Sequence, residues 1–207
     1  MIPVKVCGIT RLQDALLAIK YGATAVGFIF APSPRQVSVA TAASIVCQLP
    51  PLVTRVGVFV NETPSSIQAI MECCQLDLAQ LHGDESIATV NALAGKAIKA
   101  FRAGEDQPSQ AWRDANVRAI LVDAYVPGVP GGTGQSFNWE LFREYRKLGH
   151  PLILAGGLNA TNIREAIRLA QPDAVDLSSG LEAKPGIKDE SKLAEFAKEL
   201  YHFKELI

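Results

Sequence analysis

Short apolar runs alternate along the chain with longer stretches in which apolar residues recur at helical spacing. The runs are nearly continuous, which is typical of strands buried on both faces of a parallel sheet. They predict eight strands, at residues 4–9, 23–30, 54–60, 77–83, 96–103, 118–124, 151–157 and 173–180. The longer stretches predict eight helices, at residues 11–22, 37–49, 63–75, 85–95, 108–116, 139–149, 159–171 and 189–203. Ser38 is the predicted N-cap of the second helix, and Thr63 and Pro64 are predicted to begin the third.

Eight strand–helix units of about 25 residues each predict a closed (β/α)8 TIM barrel, as a single domain over residues 1–207. A doubly wound open sheet is the alternative. Eight regular units, with no clear G-x-G-x-x-G pattern after the first strand, speak against it. No linker, charge block or change in composition divides the chain.

The composition argues against several classes of protein. Hydrophobic residues make up 48% of the chain, charged residues 20%, and the net charge is -1, so nothing indicates nucleic-acid or membrane-surface binding through bulk charge. No apolar run approaches the roughly 20 residues that span a bilayer, and the first residues do not resemble a secretory signal. The four cysteines form no C-x-x-C pair and the three histidines are scattered, which argues against a zinc site and favours a reducing, cytoplasmic location.

Four polar or reactive residues come at or just after predicted strand ends, where barrels of this kind carry their catalytic groups: Cys7, Arg35, His82 and Asp123. Each also has a plainer interpretation. Cys7 could be an inert core residue, Arg35 a solvated charge, His82 a support for its loop and Asp123 a cap for the following turn. Together, a thiol, an acid and an arginine on one rim form a coherent site.

Glycine turns follow the last two strands, at Gly156–Gly157 and at Ser178, Ser179 and Gly180. Glycine lets backbone N–H groups approach an anion, and barrels of this kind recurrently bind phosphate after their seventh and eighth strands. Both turns could be simple strand–helix connections, but their joint position favours a phosphate site. A third cluster, Gly131, Gly132 and Gly134, is interpreted about equally well as a flexible loop and as a lid or substrate contact.

Seven motifs, in order and at matching spacing, resemble the phosphoribosylanthranilate isomerases of tryptophan biosynthesis along essentially the whole chain. They are KVCGIT, GFIF…SPR, RVGVFVN, QLHGDE, LVDA…GGTGQSFNW, LAGGLN and VDLSSGLE…PGIKD. Any one motif is weak evidence, but the ordered set is very specific.

The resemblance implies an Amadori rearrangement of N-(5-phosphoribosyl)anthranilate to 1-(2-carboxyphenylamino)-1-deoxyribulose 5-phosphate. It implies that Cys7 is the general base, that Asp123 is the general acid and that Arg35 holds the anthranilate carboxylate. It places phosphate at Gly156, Gly157, Ser179 and Gly180, and leaves His82 and Gly132 as further candidate substrate contacts. No metal or organic cofactor is implied, and the expected partner is a phosphorylated small molecule, not nucleic acid or membrane. The chain is expected to be a monomer or a homodimer.

The chemistry needs a protonated acid and an ionised thiol. Because strand 1 follows strand 8 in a closed ring, Cys7 and Asp123 are predicted to flank the phosphate turns. A dry pocket beside a phosphate disfavours both charged forms, so some donor must stabilise the thiolate. Thr10 and nearby backbone amides are the candidates.

Three other functions stay open on the residues alone. Indoleglycerol-phosphate synthase and ribulose-phosphate epimerase share phosphate turns of this kind, and Lys5 or Lys99 could in principle serve as the synthase's catalytic lysine. Neither lysine lies in a motif of that enzyme. A barrel that binds a phosphorylated metabolite without turnover is the third possibility, but it would not need both Cys7 and Asp123.

Overall fold

Eight parallel strands close into a barrel in chain order, so the predicted (β/α)8 fold is confirmed. The structure, a computed structural model, describes residues 2–104, 109–123 and 139–204. The strands are β1 (Val4–Cys7), β2 (Ala25–Ile29), β3 (Thr54–Phe59), β4 (Leu78–Leu81), β5 (Ala97–Arg102), β6 (Val117–Asp123), β7 (Leu152–Ala155) and β8 (Ala174–Leu177). The ring closes where β1 pairs with β8, with Val4 beside Val175.

Seven α-helices accompany the strands in the part of the chain that the structure describes. They are α1 (Leu12–Lys20), α2 (Val39–Val46), α3 (Pro64–Cys73), α4 (Ile87–Asn91), α5 (Trp139–Glu144), α6 (Ile163–Ala170) and α7 (Glu190–Lys204). The predicted N-caps are confirmed, because Ser38 Oγ accepts from the Thr41 N–H at 3.1 Å and Thr63 Oγ1 accepts from the Ser66 N–H at 3.2 Å. None of the helices that the structure describes is long and apolar enough to cross a bilayer.

The helices on one side of the barrel are shorter than predicted. The stretch predicted as helix at 108–116 is a 3-10 helix, Gln110–Asp114, and the stretch at 139–149 changes from α5 to a 3-10 helix at Tyr145–Leu148. The fourth helix, predicted over residues 85–95, is confined to α4 and ends at Asn91. The backbone takes positive φ at Ala94 and Gly95, which a right-handed helix cannot include.

Apolar residues fill both sides of the barrel wall, which explains the nearly continuous runs. The larger cluster lies between strands and helices, with Phe28 and Leu154 fully buried in it. A smaller cluster fills the barrel interior. Its members are Val56, Ile98, Ala100, Ala119, Leu121, Ile153 and Ala155.

A short antiparallel hairpin, β9 (Glu182–Lys184) and β10 (Ile187–Lys188), follows β8 and was not predicted. Its turn contains Gly186, whose φ is +78°. The hairpin carries two buried charged residues, Glu182 and Lys188, to the carboxyl end of β1. The hairpin therefore contributes charged residues to the end of the barrel where the predicted site residues lie.

Candidate active site

A cavity of about 230 Å³ opens at the carboxyl ends of the strands. The predicted site residues that line it are Cys7, Arg35, His82, Asp123, Gly156, Gly157 and Ser179. Gly180 lies behind the lining, and Gly132, with the rest of its glycine cluster, lies outside the described residues. The structure thus brings together residues from six different strand ends or loops.

Cys7 ends β1 with a buried side chain that faces the cavity. Gly8 then turns the chain at a φ of +77°, and a Cβ there would lie 2.6 Å from Arg35 Cδ. The glycine after the cysteine is therefore needed twice, for the turn and for the passage of the arginine side chain. Burial raises the pKa of the Cys7 thiol above its ordinary value, and the Lys5 ammonium opposes that rise.

A buried ion pair forms the floor beneath the thiol. Lys5, on the same inward face of β1, places its Nζ 2.8 Å from Oδ2 of Asp176 on β8. Asp176 also lines the cavity, and its Oδ1 accepts no hydrogen bond from the residues that the structure describes. Burial raises the pKa of Asp176, and Lys5 opposes that shift. Sequence reasoning did not single out Asp176.

His82 links the fourth and sixth strand ends. Its Nε2 lies 3.5 Å from Asp123 Oδ2, and its Nδ1 lies 3.0 Å from Nε2 of Gln80 on β4. With the Gln80 amide as donor, a neutral His82 ring carries its proton on Nε2, which faces Asp123. His82 can therefore orient the Asp123 carboxyl group, a role more specific than support of its own loop.

Arg35 is anchored by a carboxylate from the unpredicted hairpin. Its Nε donates to both carboxylate oxygens of Glu182, at 2.9 and 3.0 Å, and its Nη2 lies 2.6 Å from Oε2. Burial alone would raise the pKa of Glu182, but hydrogen bonds from Arg35 and Lys188 outweigh it and hold that pKa below its ordinary value. The Nε edge of the guanidinium is thus occupied, and the terminal edge is the one left for a ligand in the cavity.

Lys188 joins three parts of the site with one ammonium group. Its fully buried Nζ donates to the Cys7 carbonyl at 2.6 Å, to the Ser178 carbonyl at 3.3 Å and to Glu182 Oε1 at 2.9 Å. Burial lowers its pKa. The only sequence signal for this residue was its place in the PGIKD motif, next to a Pro-Gly turn.

The two glycine turns lie side by side at the ends of β7 and β8. Gly156 and Gly157 take φ of +97° and +61°, and the amides of Asn159 and Asn162 hold the Gly157 carbonyl at 3.2 and 3.0 Å. A Cβ on Gly180 would lie 2.0 Å from the Leu158 carbonyl oxygen, so only glycine allows the turns to touch.

These turns also carry backbone N–H groups that can serve as hydrogen-bond donors. The N–H groups of Gly157, Ser179 and Gly180 donate no hydrogen bond to any of the residues that the structure describes. A cluster of such donors is suited to an anion.

Two other residues considered from the sequence, Thr10 and Lys99, do not take the roles suggested for them. The Thr10 hydroxyl donates to the Gly186 carbonyl at 2.5 Å, so its proton is already engaged. Lys99 lies outside the cavity lining, where its Nζ donates to the Gly83 carbonyl at 2.5 Å and to Glu85 Oε2 at 2.9 Å. Within the described ranges, no group of three or more His, Cys, Asp and Glu side chains could hold a metal ion.

Comparison with known proteins gives one consistent family. Residues 4–199 match the family model described as N-(5'-phosphoribosyl)anthranilate (PRA) isomerase. The N-(5'-phosphoribosyl)anthranilate isomerase of Pseudomonas putida is 49% identical over 195 residues, which cover 93% of this chain and 94% of the relative. That of Azotobacter vinelandii is 48% identical over 95% of this chain and 96% of its own length.

Solved structures agree with the sequence matches. The phosphoribosyl anthranilate isomerase of Thermotoga maritima superimposes with a TM-score of 0.88 at 43% identity, over 98% of this chain and 100% of the relative. A phosphoribosyl anthranilate isomerase in complex with reduced 1-(o-carboxyphenylamino)-1-deoxyribulose 5-phosphate has a TM-score of 0.82 at 40% identity, over 98% and 100% of the two chains. On its motifs, its barrel and these matches, the chain belongs to the N-(5'-phosphoribosyl)anthranilate isomerase family.

Proposed function

We propose that this chain converts N-(5'-phosphoribosyl)anthranilate to 1-(2-carboxyphenylamino)-1-deoxyribulose 5-phosphate, the Amadori rearrangement of tryptophan biosynthesis. Family membership supports the reaction, and a relative that binds the reduced product supports the ligand. One observation carries the mechanism. A thiol on β1 and a carboxyl group on β6 line one cavity, on either side of the glycine turns that follow β7 and β8.

Phosphate binding at the two turns fixes the substrate. The N–H groups of Gly157, Ser179 and Gly180, which have no partner among the described residues, are donors of the kind that bind phosphate oxygens. With the phosphate held there, the ribose extends across the cavity between Cys7 and Asp123. Such positioning turns the proton transfers into reactions within one complex.

Asp123 acts first, as the general acid. It gives its proton to the ribose ring oxygen while the bond from that oxygen to C1 breaks, and the lone pair of the anthranilate nitrogen forms a C1=N bond. The open-chain intermediate carries its positive charge on that nitrogen. The His82 Nε2, 3.5 Å from Asp123, orients the carboxyl group for this transfer.

Cys7 acts second, as the general base. Its thiolate takes the proton from C2, and the electrons of the C2–H bond form C1=C2 while the C1=N pair returns to nitrogen. The neutral enolamine then tautomerises to the ketone product. In both steps the protein groups only give or take a proton, and the other bonds that form and break are those of the substrate.

Arg35 binds the anthranilate carboxylate in this proposal. Its terminal guanidinium edge is available because Glu182 occupies the Nε edge. Because Glu182 already fixes the guanidinium group, the Arg35 side chain loses little conformational entropy when it binds a ligand. This favours a two-point contact with a planar carboxylate.

The other sugar-phosphate functions lack such support. Lys99 does not line the cavity, and Lys5 is committed to Asp176. A simple binding protein would have no use for both a thiol and a carboxyl group at the rim. The expected oligomeric state, monomer or homodimer, the single domain over residues 1–207 and the cytoplasmic location stay predictions.

The decisive experiment follows loss of phosphoribosylanthranilate fluorescence, with substrate made fresh from anthranilate and phosphoribosyl pyrophosphate. Cys7→Ala should lower kcat by several orders of magnitude with little change in KM, because the thiolate acts in the transition state. Cys74→Ala is the matched control, since it removes another buried sulfur, at the C-cap of α3 and outside the cavity lining. Near-wild-type turnover in Cys7→Ala, with Cys74→Ala also active, would refute the assignment.

A further inference from the structure

The side chains of Cys7 and Lys5 lie next to each other, over a glycine of the neighbouring strand. Both side chains are buried on the inward face of β1, and Cys7 pairs with Gly27 of β2. A Cβ on Gly27 would lie 2.8 Å from Cys7 Sγ and 3.1 Å from Lys5 Nζ. The missing side chain of Gly27 therefore makes room for a thiol and an ammonium group to lie together.

The ammonium group keeps its charge in this buried place. Burial alone would lower the pKa of Lys5, but Asp176 and Cys7 outweigh it and hold that pKa above its ordinary value. The charge of Lys5 also acts on Cys7, because the two side chains lie side by side over Gly27. Lys5 thus places a positive charge beside the sulfur.

A buried thiol needs such a neighbour to act as a base. Burial favours the neutral thiol, which cannot accept a proton from carbon. The charged and titratable groups around Cys7 are Lys5 on its own strand, Asp176 on β8, Lys188 on β10, Arg35 after β2, and His82 and Asp123 across the cavity.

Among the cations, Lys5 is the one best placed to act on the sulfur. Lys188 donates to the Cys7 carbonyl and to Glu182, and Arg35 is held by the same glutamate. Lys5 is opposed by a single carboxylate, Asp176, whose second oxygen has no partner among the described residues.

We propose that Lys5 is a positioning residue that holds Cys7 as the thiolate, and that Asp176 limits how much of the lysine's charge reaches the sulfur. The catalytic consequence rests on the proposed function, since it matters only if Cys7 is the base. The thiol chemistry itself does not depend on turnover and can be measured without substrate.

The experiment uses a background in which Cys7 is the sole cysteine, with Cys47, Cys73 and Cys74 replaced by alanine. The alkylation rate of Cys7 by iodoacetamide is measured against pH, since only the thiolate reacts. Lys5→Met should lower the rate at pH 7.5 by about 10-fold or more and move the midpoint to higher pH. Asp176→Asn should do the opposite, because it removes the negative charge that disfavours the thiolate.

The two variants are expected to change the alkylation rate of Cys7 in opposite directions, which a purely structural role of the ion pair would not produce. If the Lys5–Asp176 pair only held the barrel together, breaking it from either side would change reactivity in the same direction. Lys99→Met is the matched control, because it breaks another buried lysine–carboxylate pair, with Glu85, outside the cavity lining. It should leave the alkylation profile of Cys7 unchanged.

Lys5→Met leaves Asp176 buried without its partner, so the double variant Lys5→Met/Asp176→Asn guards against misfolding. The attraction of Lys5 for the thiolate exceeds the repulsion from Asp176, so the double variant should still react more slowly than wild type. A rate equal to wild type would overturn the proposal, as would matching shifts in the two single variants.

Turnover gives a second measurement in the wild-type cysteine background. Lys5→Met should lower kcat with little change in KM, and the ratio of its kcat to that of wild type at the same pH should rise as the pH rises and the thiolate forms without help. A pH-independent loss would contradict the proposal. If Cys7→Ala stays active while the alkylation shifts appear as expected, the proposed base fails and the thiolate contact stands.

Discussion

The phosphate turns allow a sharp test at Gly157. This residue lines the cavity, and a Cβ built on it meets nothing within 4 Å. Its φ of +61° lies in the left-handed region that asparagine and aspartate tolerate best among residues other than glycine. Gly157→Asn and Gly157→Asp therefore impose the same backbone strain and nearly the same volume, and differ by one charge.

That charge should act directly on the bound phosphate. A carboxylate about 6 Å from a dianion is repelled by roughly 1.4 kcal/mol at the dielectric constant of water, and by about twice as much at half that value. The expected result is a KM for Gly157→Asp that is roughly 10- to 100-fold above that for Gly157→Asn, with kcat much less affected.

The fluorescence assay measures both constants, and inhibition by inorganic phosphate gives an independent affinity for the same turns. The difference between the two variants should narrow at high salt, which screens charge. The difference should also narrow below about pH 6, where the phosphate dianion takes up a proton and becomes a monoanion. Equal KM values for Gly157→Asp and Gly157→Asn, with equal phosphate inhibition, would refute phosphate binding at this turn.

Two further predictions concern the acid and the carboxylate contact. Asp123→Asn should bind substrate but lose turnover, and its residual activity should lack the alkaline fall in kcat expected of wild type as the acid ionises; wild-type turnover would leave Asp123 as a turn cap. Arg35→Lys keeps a positive charge but loses the fork, so kcat/KM should fall roughly 10- to 100-fold, with a much smaller loss on an analogue without the anthranilate carboxylate. An equal loss on that analogue would instead indicate a general effect of disturbing Glu182.

The strands of this barrel were predictable because most residues on both faces of the strands are apolar and the pattern is local. Chain order then placed β1 beside β8 and brought Cys7 to the cavity that Asp123 also lines. Helix ends were harder, since α4 ends at Asn91, shortly before Ala94 and Gly95 adopt positive φ, and nothing in the apolar spacing marks that point.

The supporting residues were missed for a different reason. The strands of the β9–β10 hairpin have three and two residues, too short to show a period, and lysine and glutamate normally indicate a solvated surface. Glu182 and Lys188 can be buried because they pair with each other, and Glu182 also pairs with Arg35. That three-way pairing joins residues far apart in the chain, and a single sequence carries no signal for it.

The bond from Lys188 to the Cys7 carbonyl has a consequence for how the enzyme is made. Its partners are 181 residues apart, and those of the Arg35–Glu182 pair are 147 apart. Contacts of such long sequence separation form late, and during synthesis they must wait until the second partner has left the ribosome. Cys7 and Arg35 are thus synthesised early, but their hydrogen-bond partners, Lys188 and Glu182, are synthesised near the end of translation. Nascent chains should therefore gain activity only after the hairpin emerges, which makes catalysis a reporter of ring closure.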